Sequence, residues 1–158
     1  MIPKEQMDAV DKKVAADVER IGWSCIGVFP THEGHSPPFN YTVGLPHSYQ
    51  HPELLMMGMS NQQLHSCLAV AVQLIQGGTR FAADTYSTEV LVALRVAFVE
   101  VLDVHHEDYC LSMATRLQGE IPALQMVWPD REDRFPWEPD FDPEYKHRQI
   151  LAGPWRGE

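Results

Sequence analysis

The sequence predicts a single α+β domain with a mostly antiparallel sheet, about three helices and a C-terminal tail rich in proline and aromatic residues. Three observations support this prediction. The chain of 158 residues has the length of one domain. Its segments run in the order helix, strands, helix, strands, helix and strand. The last thirty residues or so lack periodicity but are rich in aromatic side chains, in which disordered segments are poor.

In three segments, the spacing of apolar residues or the residues at the ends are typical of helices. In residues 4–21, apolar side chains recur near helical spacing. Ser60-Asn-Gln-Gln is a capping-box pattern that opens a second helix, and Gly77-Gly78 closes it. Residues 105–119 are acidic at their start, as the helix dipole favours, and form the third predicted helix.

Five further segments have the composition of strands. Four are short and are bounded by turn residues: 23–29, 39–45, 53–59 and 121–128. The fifth, residues 90–104, is long, apolar and rich in β-branched side chains, so we expect a central strand or a pair of strands with a bend.

The linker between residues 39–45 and 53–59 carries a proline at each end, Pro46 and Pro52. Each proline pushes the residue before it toward extended geometry. We therefore expect a strand–loop–strand connection here and no helix.

The chain is expected to form one domain over residues 1–145, with its core at about 20–138, and a looser tail over residues 146–158. Within the domain, residues 129–145 are expected to drape over the sheet, because their aromatic side chains need burial.

Composition limits the classes of partner and the compartment. A net charge of −10 argues against direct nucleic-acid binding, which needs a basic face. The three cysteines are far apart and include no C-x-x-C pair, so we expect reduced thiols and a cytoplasmic protein. No segment has the apolar length of a signal peptide or a membrane span, so no membrane partner is expected.

Histidines suggest a metal site, but their spacing does not favour one. Four of the eight histidines fall within twenty residues beside two glutamates: His32, His35, His47 and His51, with Glu33 and Glu53. The local order is H-E-x-H in a loop, whereas H-E-x-x-H chemistry requires a helix. We expect loop histidines and no bound metal, with a metal site as the alternative.

His51 and Glu53 are the candidate catalytic residues. In an extended segment, residues two apart point to the same face, so an imidazole and a carboxylate here could act as an acid/base pair. Alternatively, Glu53 accepts hydrogen bonds that fix the loop, or the pair binds a ligand. The favoured interpretation is architectural.

Other catalytic and cofactor motifs are absent from the sequence. There is no G-x-S-x-G nucleophile motif, no P-loop and no G-x-G-x-x-G, so no cofactor is expected. A second dense cluster, Gln125 to Asp130, surrounds Trp128 with polar groups. It is either a recognition platform or, as we favour, a means of pinning the tail to the sheet.

These residues resemble the DUF4262 family of bacterial and phage proteins. The matching features are Gly22-Trp23, Phe39/Tyr41-Thr42-x-Gly44-Leu45, His51-Pro52-Glu53-Leu54, Gly77-Gly78, Gln125-x-x-Trp128-Pro129-Asp130 and Phe135-Pro136-Trp137. The resemblance implies one fold across most of the chain and a prokaryotic or phage origin. It implies no catalytic residues.

The matching residues suggest one polar pocket. If the strand ending at Trp128 lies beside the earlier strands, the pocket would include the following residues: Tyr41, Thr42, Gly44, His51, Glu53, Gln125, Trp128 and Asp130. We expect a small binding or interaction module that takes a protein partner or a small ligand, with a role in phage–host interaction or defence. The alternatives are a hydrolase-like or metal-assisted enzyme using His51 and Glu53, and a structural subunit of a larger assembly.

Overall fold

The computed structural model describes residues 9–29, 37–102, 114, 118–119 and 121–157. The described helices are α1 (Ala9–Ile21), α2 (Leu45–Tyr49) and α3 (Asn61–Gln76), with a short 3-10 turn at Pro143–Tyr145. The strands are β1 (Ser24–Val28), β2 (Phe39–Val43), β3 (Glu53–Met57), β4 (Thr85–Ser87), β5 (Val96–Glu100) and β6 (Ala123–Val127).

The six strands form one sheet in the order β1-β2-β3-β6-β5-β4. Neighbouring strands are antiparallel except β3 and β6, which run parallel with Glu53 opposite Ala123 and Leu55 opposite Gln125. The sheet therefore consists of two antiparallel meanders, β1-β2-β3 and β4-β5-β6, joined at the centre. The predicted α+β class with a mostly antiparallel sheet is confirmed.

Helix α3 covers one face of the sheet, which we call the α3 face. Its N-cap is Ser60, whose hydroxyl accepts the N–H of Gln63 while the Gln63 side chain accepts the N–H of Ser60. The predicted capping box is thus confirmed, and it satisfies two donors that a helix start leaves free. The apolar side of α3 packs against strand side chains of this face: Leu54, Met56, Phe98, Leu124 and Met126.

The opposite face, which we call the α1 face, carries α1 and the end of the chain. Val14 and Val18 of α1 pack in one cluster with Tyr41 and Leu55 of the central strands. Strand residues alternate between the two faces, and both faces are covered, so the central strands are buried throughout. Burying each large apolar side chain contributes roughly 1.5–3 kcal/mol.

The expectation of no helix between Pro46 and Pro52 is wrong, because α2 lies there. Pro46 occupies the first turn of α2, where a missing N–H costs nothing because it would have no partner in the helix. Gly44 has a φ of 114° and turns the chain out of β2 into the helix. A side chain at Gly44 would also come within 2.9 Å of the carbonyl oxygen of Gly22.

The other predicted strands are shorter than expected but lie where the sequence placed them. Residues 90–104 are the exception. Within their described part, residues 90–102, the strand covers 96–100, and it pairs with β4 near one edge of the sheet rather than at the centre. The predicted helix at 105–119 falls mostly outside the described residues. None of the described helices is long and apolar enough to cross a membrane.

Residues 146–157 contact the α1 face of the sheet. Ala152 is buried there, and Trp155 stacks on Trp137 with 4.6 Å between ring centroids. The division of the chain at residue 145 stays a prediction.

Candidate functional site

The carboxylate of Glu53 lies where β2 and β3 separate. The paired register of these strands ends at Tyr41 and Leu55, and beyond it the Glu53 side chain is completely buried. Oε1 accepts the hydroxyl of Thr42 at 2.8 Å and the N–H of Leu45 at 3.2 Å. Oε2 accepts the N–H of Gly44 at 2.8 Å. The carboxylate therefore fixes the turn from β2 into α2.

A fourth donor reaches Glu53 from the segment before β6. Nε2 of Gln118 donates to Oε2 of Glu53 at 2.7 Å, and Oε1 of Gln118 accepts the N–H of His47 at 3.2 Å. Burial raises the pKa of Glu53 to about 7, although the donors Gln118, Gly44, Thr42 and Leu45 oppose the rise. The Gln118 amide thus links a buried carboxylate to α2.

His51 lies just before β3 and is also buried. Nδ1 is 2.8 Å from the carbonyl oxygen of Pro52, and Nε2 accepts the N–H of Phe81 at 3.0 Å. This geometry assigns the proton to Nδ1 and makes the ring a neutral connector between two loops. Burial lowers the pKa of His51, the hydrogen bond to Pro52 opposes this, and the charge of Arg80 lowers it further. His51 packs on Phe81, whereas Glu53 faces Thr42 and Gln118.

The second predicted cluster forms its own hydrogen-bond network with the C-terminal segment. Gln125 accepts the N–H of Ala152 at 2.7 Å and donates to the carbonyl oxygen of Ile150 at 2.9 Å. The indole N–H of Trp128 donates to the carbonyl oxygen of Met57 at 2.7 Å. The two Gln125 contacts attach the last residues to the α1 face of the sheet, whereas the Trp128 indole joins the end of β6 to β3.

Asp130 closes the turn that follows β6. Its buried carboxylate accepts the N–H groups of Glu132, Arg134 and Asp142 and the guanidinium of Arg134. Burial alone would raise the pKa of Asp130, but these hydrogen bonds outweigh it and lower the pKa below its usual value.

The structure places Trp128 and Asp130, at the end of the second cluster, away from Glu53, whereas Gln125 lies opposite Leu55. Glu53 lies opposite Ala123, and Trp128 follows the far end of β6. Glu53 and Trp128 are therefore five residues apart along the strands, which at about 3.3 Å per residue is roughly 16 Å. Tyr41, which was predicted to line the same pocket, is buried in the core of the α1 face.

A separate cavity of about 230 Å³ opens at the edge of the sheet formed by β1. It lies where α1 and α3 flank this edge strand from opposite faces. Eight residues line it: Lys13, Asp17, Arg20, Ile21, Trp23, Ser24, Cys25 and His65.

Asp17 organises the charged side of this cavity. Its carboxylate accepts the hydroxyl of Ser24 at 3.0 Å and pairs with Arg20 at 3.2 Å and Lys13 at 3.5 Å. Burial would raise the pKa of Asp17, but the hydrogen bonds from Ser24 and Arg20 and the charge of Lys13 lower it on balance. The carboxylate therefore stays ionised at neutral pH.

Trp23, His65 and Cys25 form the less polar side of the cavity. The rings of Trp23 and His65 stack with 6.2 Å between centroids and 26° between planes. Burial raises the pKa of the Cys25 thiol to about 11, against a hydrogen bond from Asn40. Cys25 is therefore a neutral thiol at pH 7 and a poor nucleophile.

Sequence reasoning did not find this cavity, because its residues come from three elements and each has an ordinary role alone. One signal was available: Lys13, Asp17 and Arg20 share one side of α1, just before Gly22-Trp23. Among the described residues, no group of three or more His, Cys, Asp and Glu side chains could hold a metal ion.

Comparison with known proteins identifies the family. Searches of curated proteins and of solved structures found no match. The family model described as a domain of unknown function, DUF4262, matches residues 17–142, which is most of the chain. The resemblance seen in the sequence is confirmed, and the chain belongs to the DUF4262 family.

Proposed function

We propose that this protein is a binding module whose contact site is the cavity beside β1. The observation that carries the proposal is the composition of this cavity, in which stacked rings, a thiol, a hydroxyl and paired charges meet at the surface. Binding sites commonly combine apolar rings with a few placed polar groups in this way. Its occupant is a small ligand or a side chain of a protein partner.

The burial of His51 and Glu53 favours binding over the alternative of a hydrolase-like enzyme. These side chains are 1% and 0% exposed, and each is hydrogen-bonded to main-chain groups of neighbouring loops. A general base must reach the proton that it removes from a substrate. For the metal-assisted form of the alternative, elemental analysis of the purified protein is the direct test, since stoichiometric zinc, manganese or iron would favour it.

We also propose that the protein acts in the cytoplasm and takes part in phage–host interaction or bacterial defence. Cys25 and Cys67 are free thiols, which the reducing cytoplasm preserves. The acidic net charge suits a basic protein partner, and a role in phage–host interaction or bacterial defence would fit such a partner. These points rest on composition and on the family resemblance.

A cavity-filling variant tests the proposal. Ile21 lines the cavity and is 46% exposed, so Ile21→Trp should fill the opening without disturbing the core. Val10, also on α1, is 54% exposed and does not line the cavity, so Val10→Trp is the matched control. Binding is measured by NMR, with a library of fragments that differ in charge and shape.

We expect the fragments that bind to shift the amide signals of Ser24 and Cys25. The shifts should disappear in Ile21→Trp and persist in Val10→Trp. If the fragments bind elsewhere or bind Ile21→Trp equally well, the cavity is not the contact site. If the occupant is a protein partner, pull-down from bacterial lysate should retain that partner on the wild type and on Val10→Trp, and should lose it on Ile21→Trp. A chain that elutes alone at every salt concentration would speak against a partner.

A further inference from the structure

The cavity beside β1 carries positive charge on an acidic protein. Lys13 and Arg20 both pair with Asp17, so two cations share one carboxylate and one positive charge is left over. The chain as a whole has a net charge of −10. A guanidinium has five N–H donors and an ammonium three, so pairing with one carboxylate leaves donors for a second. The local excess of positive charge matches a ligand with a single negative charge.

The oxygens of Asp17 already face the protein's own donors. One oxygen accepts Ser24 and pairs with Lys13, and the other pairs with Arg20. Asp17 therefore holds the two cations on the helix side of the cavity and is itself largely neutralised by them. An incoming anion meets their remaining donors rather than a bare carboxylate.

The rest of the lining suits a single flat ring. Trp23 and His65 offer stacked aromatic surfaces, to which another ring can add by offset or edge-to-face packing. The volume of about 230 Å³ is below the usual range for ligand pockets, which favours a small ligand. The charged groups of α1 lie beside these rings, in the same cavity.

We propose that the cavity binds a small ligand made of one aromatic ring and one carboxylate. The ring packs against Trp23 and His65, and the carboxylate accepts hydrogen bonds from Arg20 and Lys13. The inference rests on the proposed function, because it names the ligand class of the same cavity.

The test compares benzoate with two ligands of similar shape, neutral benzamide and cationic benzylamine. Binding is followed by NMR on the full chain, through the indole N–H of Trp23 and the amide of Ser24. Benzoate should bind in the millimolar range, as expected for so small a ligand. Benzamide should bind about fivefold more weakly and benzylamine more weakly still, because exposed charge pairs contribute modestly.

Charge-neutralising variants assign the anion contact. Arg20→Gln should weaken benzoate binding about fivefold and leave benzamide unchanged. Lys12→Gln is the control, since Lys12 is exposed on the same helix but does not line the cavity. Benzoate binding should also weaken as salt rises from low to high concentration.

Two results would overturn the inference. The first is benzamide binding as tightly as benzoate, and the second is the absence of shifts at Trp23 and Ser24 with benzoate. Either result leaves the proposed function standing if other fragments bind the cavity of the wild-type protein and do not bind the Ile21→Trp variant. If no fragment of any charge binds there, the proposed function fails as well.

Discussion

Thr42 and Glu53 form a buried pair in which one hydroxyl serves two partners. The Thr42 hydroxyl donates to Oε1 of Glu53 and accepts the N–H of Leu54, both at 2.8 Å. Thr42 thus replaces a strand-to-strand hydrogen bond at the point where β2 and β3 separate, and it holds the carboxylate that fixes the next turn.

Replacing Thr42 with valine should be clearly destabilising. Thr42→Val keeps the shape but leaves the buried N–H of Leu54 without its acceptor and Glu53 without one donor. An unsatisfied buried donor costs roughly 1–3 kcal/mol, so we expect a loss of about 2 kcal/mol in the free energy of unfolding. Urea denaturation measures it. Thr88→Val, at an exposed position, should change stability by less than about 0.5 kcal/mol. Equal effects of the two substitutions would contradict the role of Thr42.

The raised pKa of Glu53 should make stability depend on pH. The folded chain binds the Glu53 proton with a pKa of about 7, above the usual 4.5. The stability that this proton contributes is complete below pH 4.5 and is lost as pH rises through 7. The total loss is at most about 3 kcal/mol.

Glu53→Gln does not titrate and provides the reference for this effect. The difference in unfolding free energy between wild type and Glu53→Gln should fall as pH rises from 4.5 to about 7 and then level off. Urea denaturation at several pH values gives this difference. A difference that is independent of pH would show that folding does not raise the pKa of Glu53.

His51 should remain neutral below its usual titration point. Its pKa is lowered from 6.5, so its contribution to stability is complete above pH 6.5 and is lost as pH falls through the lowered value. NMR of the imidazole nitrogens should show the proton on Nδ1 and a midpoint below 6.5. A proton on Nε2, or a midpoint above 6.5, would rule out the acceptor role toward Phe81.

Gly58→Ala should test how firmly the C-terminal segment attaches to the domain. Gly58 has a φ of 92°, and a methyl group there would collide with the carbonyl oxygen of Arg148. Left-handed strain and displacement of the segment together should cost about 3 kcal/mol. Gly78→Ala, with a φ of 108° and nothing within 4 Å, should cost only about 1 kcal/mol. Calorimetry compares them, and equal losses would mean that residue 148 moves aside freely.

Local patterns predicted local structure well. Ser60 and Gln63 marked the start of α3, and Gly77-Gly78 marked its end, because capping depends on neighbours in sequence. The prolines at 46 and 52 predict an extended linker, but Pro46 occupies the first turn of the short helix α2, a position that favours proline. The apolar run 90–104 predicts a central strand or a bent pair of strands. The strand found within it, β5, lies next to the edge strand β4, because burial alone does not tell a central strand from one near the edge.

The surroundings of Glu53 and His51 could be predicted only in part. The sequence predicts that Glu53 and His51 are either an acid/base pair or, as favoured, groups that fix the loop. Their hydrogen-bond partners Gln118 and Phe81 lie 65 and 30 positions away in the sequence. A single sequence does not contain such pairings. The sequence predicts that Gln125, Trp128 and Asp130 share a pocket with Glu53. The parallel register of β3 and β6 instead places Gln125 opposite Leu55, two positions along the strand from Glu53, and Trp128 and Asp130 beyond the far end of β6.

The parallel pairing of β3 and β6 has a consequence for the order of folding. Each meander pairs segments that are close in sequence, whereas the central ladder joins Glu53 to Ala123. Closing so long a loop costs more chain entropy than forming either meander, so the two meanders should form first and their seam last. A chain cut after Gly78 would then yield two fragments, each with a complete meander, that reassemble along this seam. The same seam is where two copies of the chain could exchange halves to form a swapped dimer.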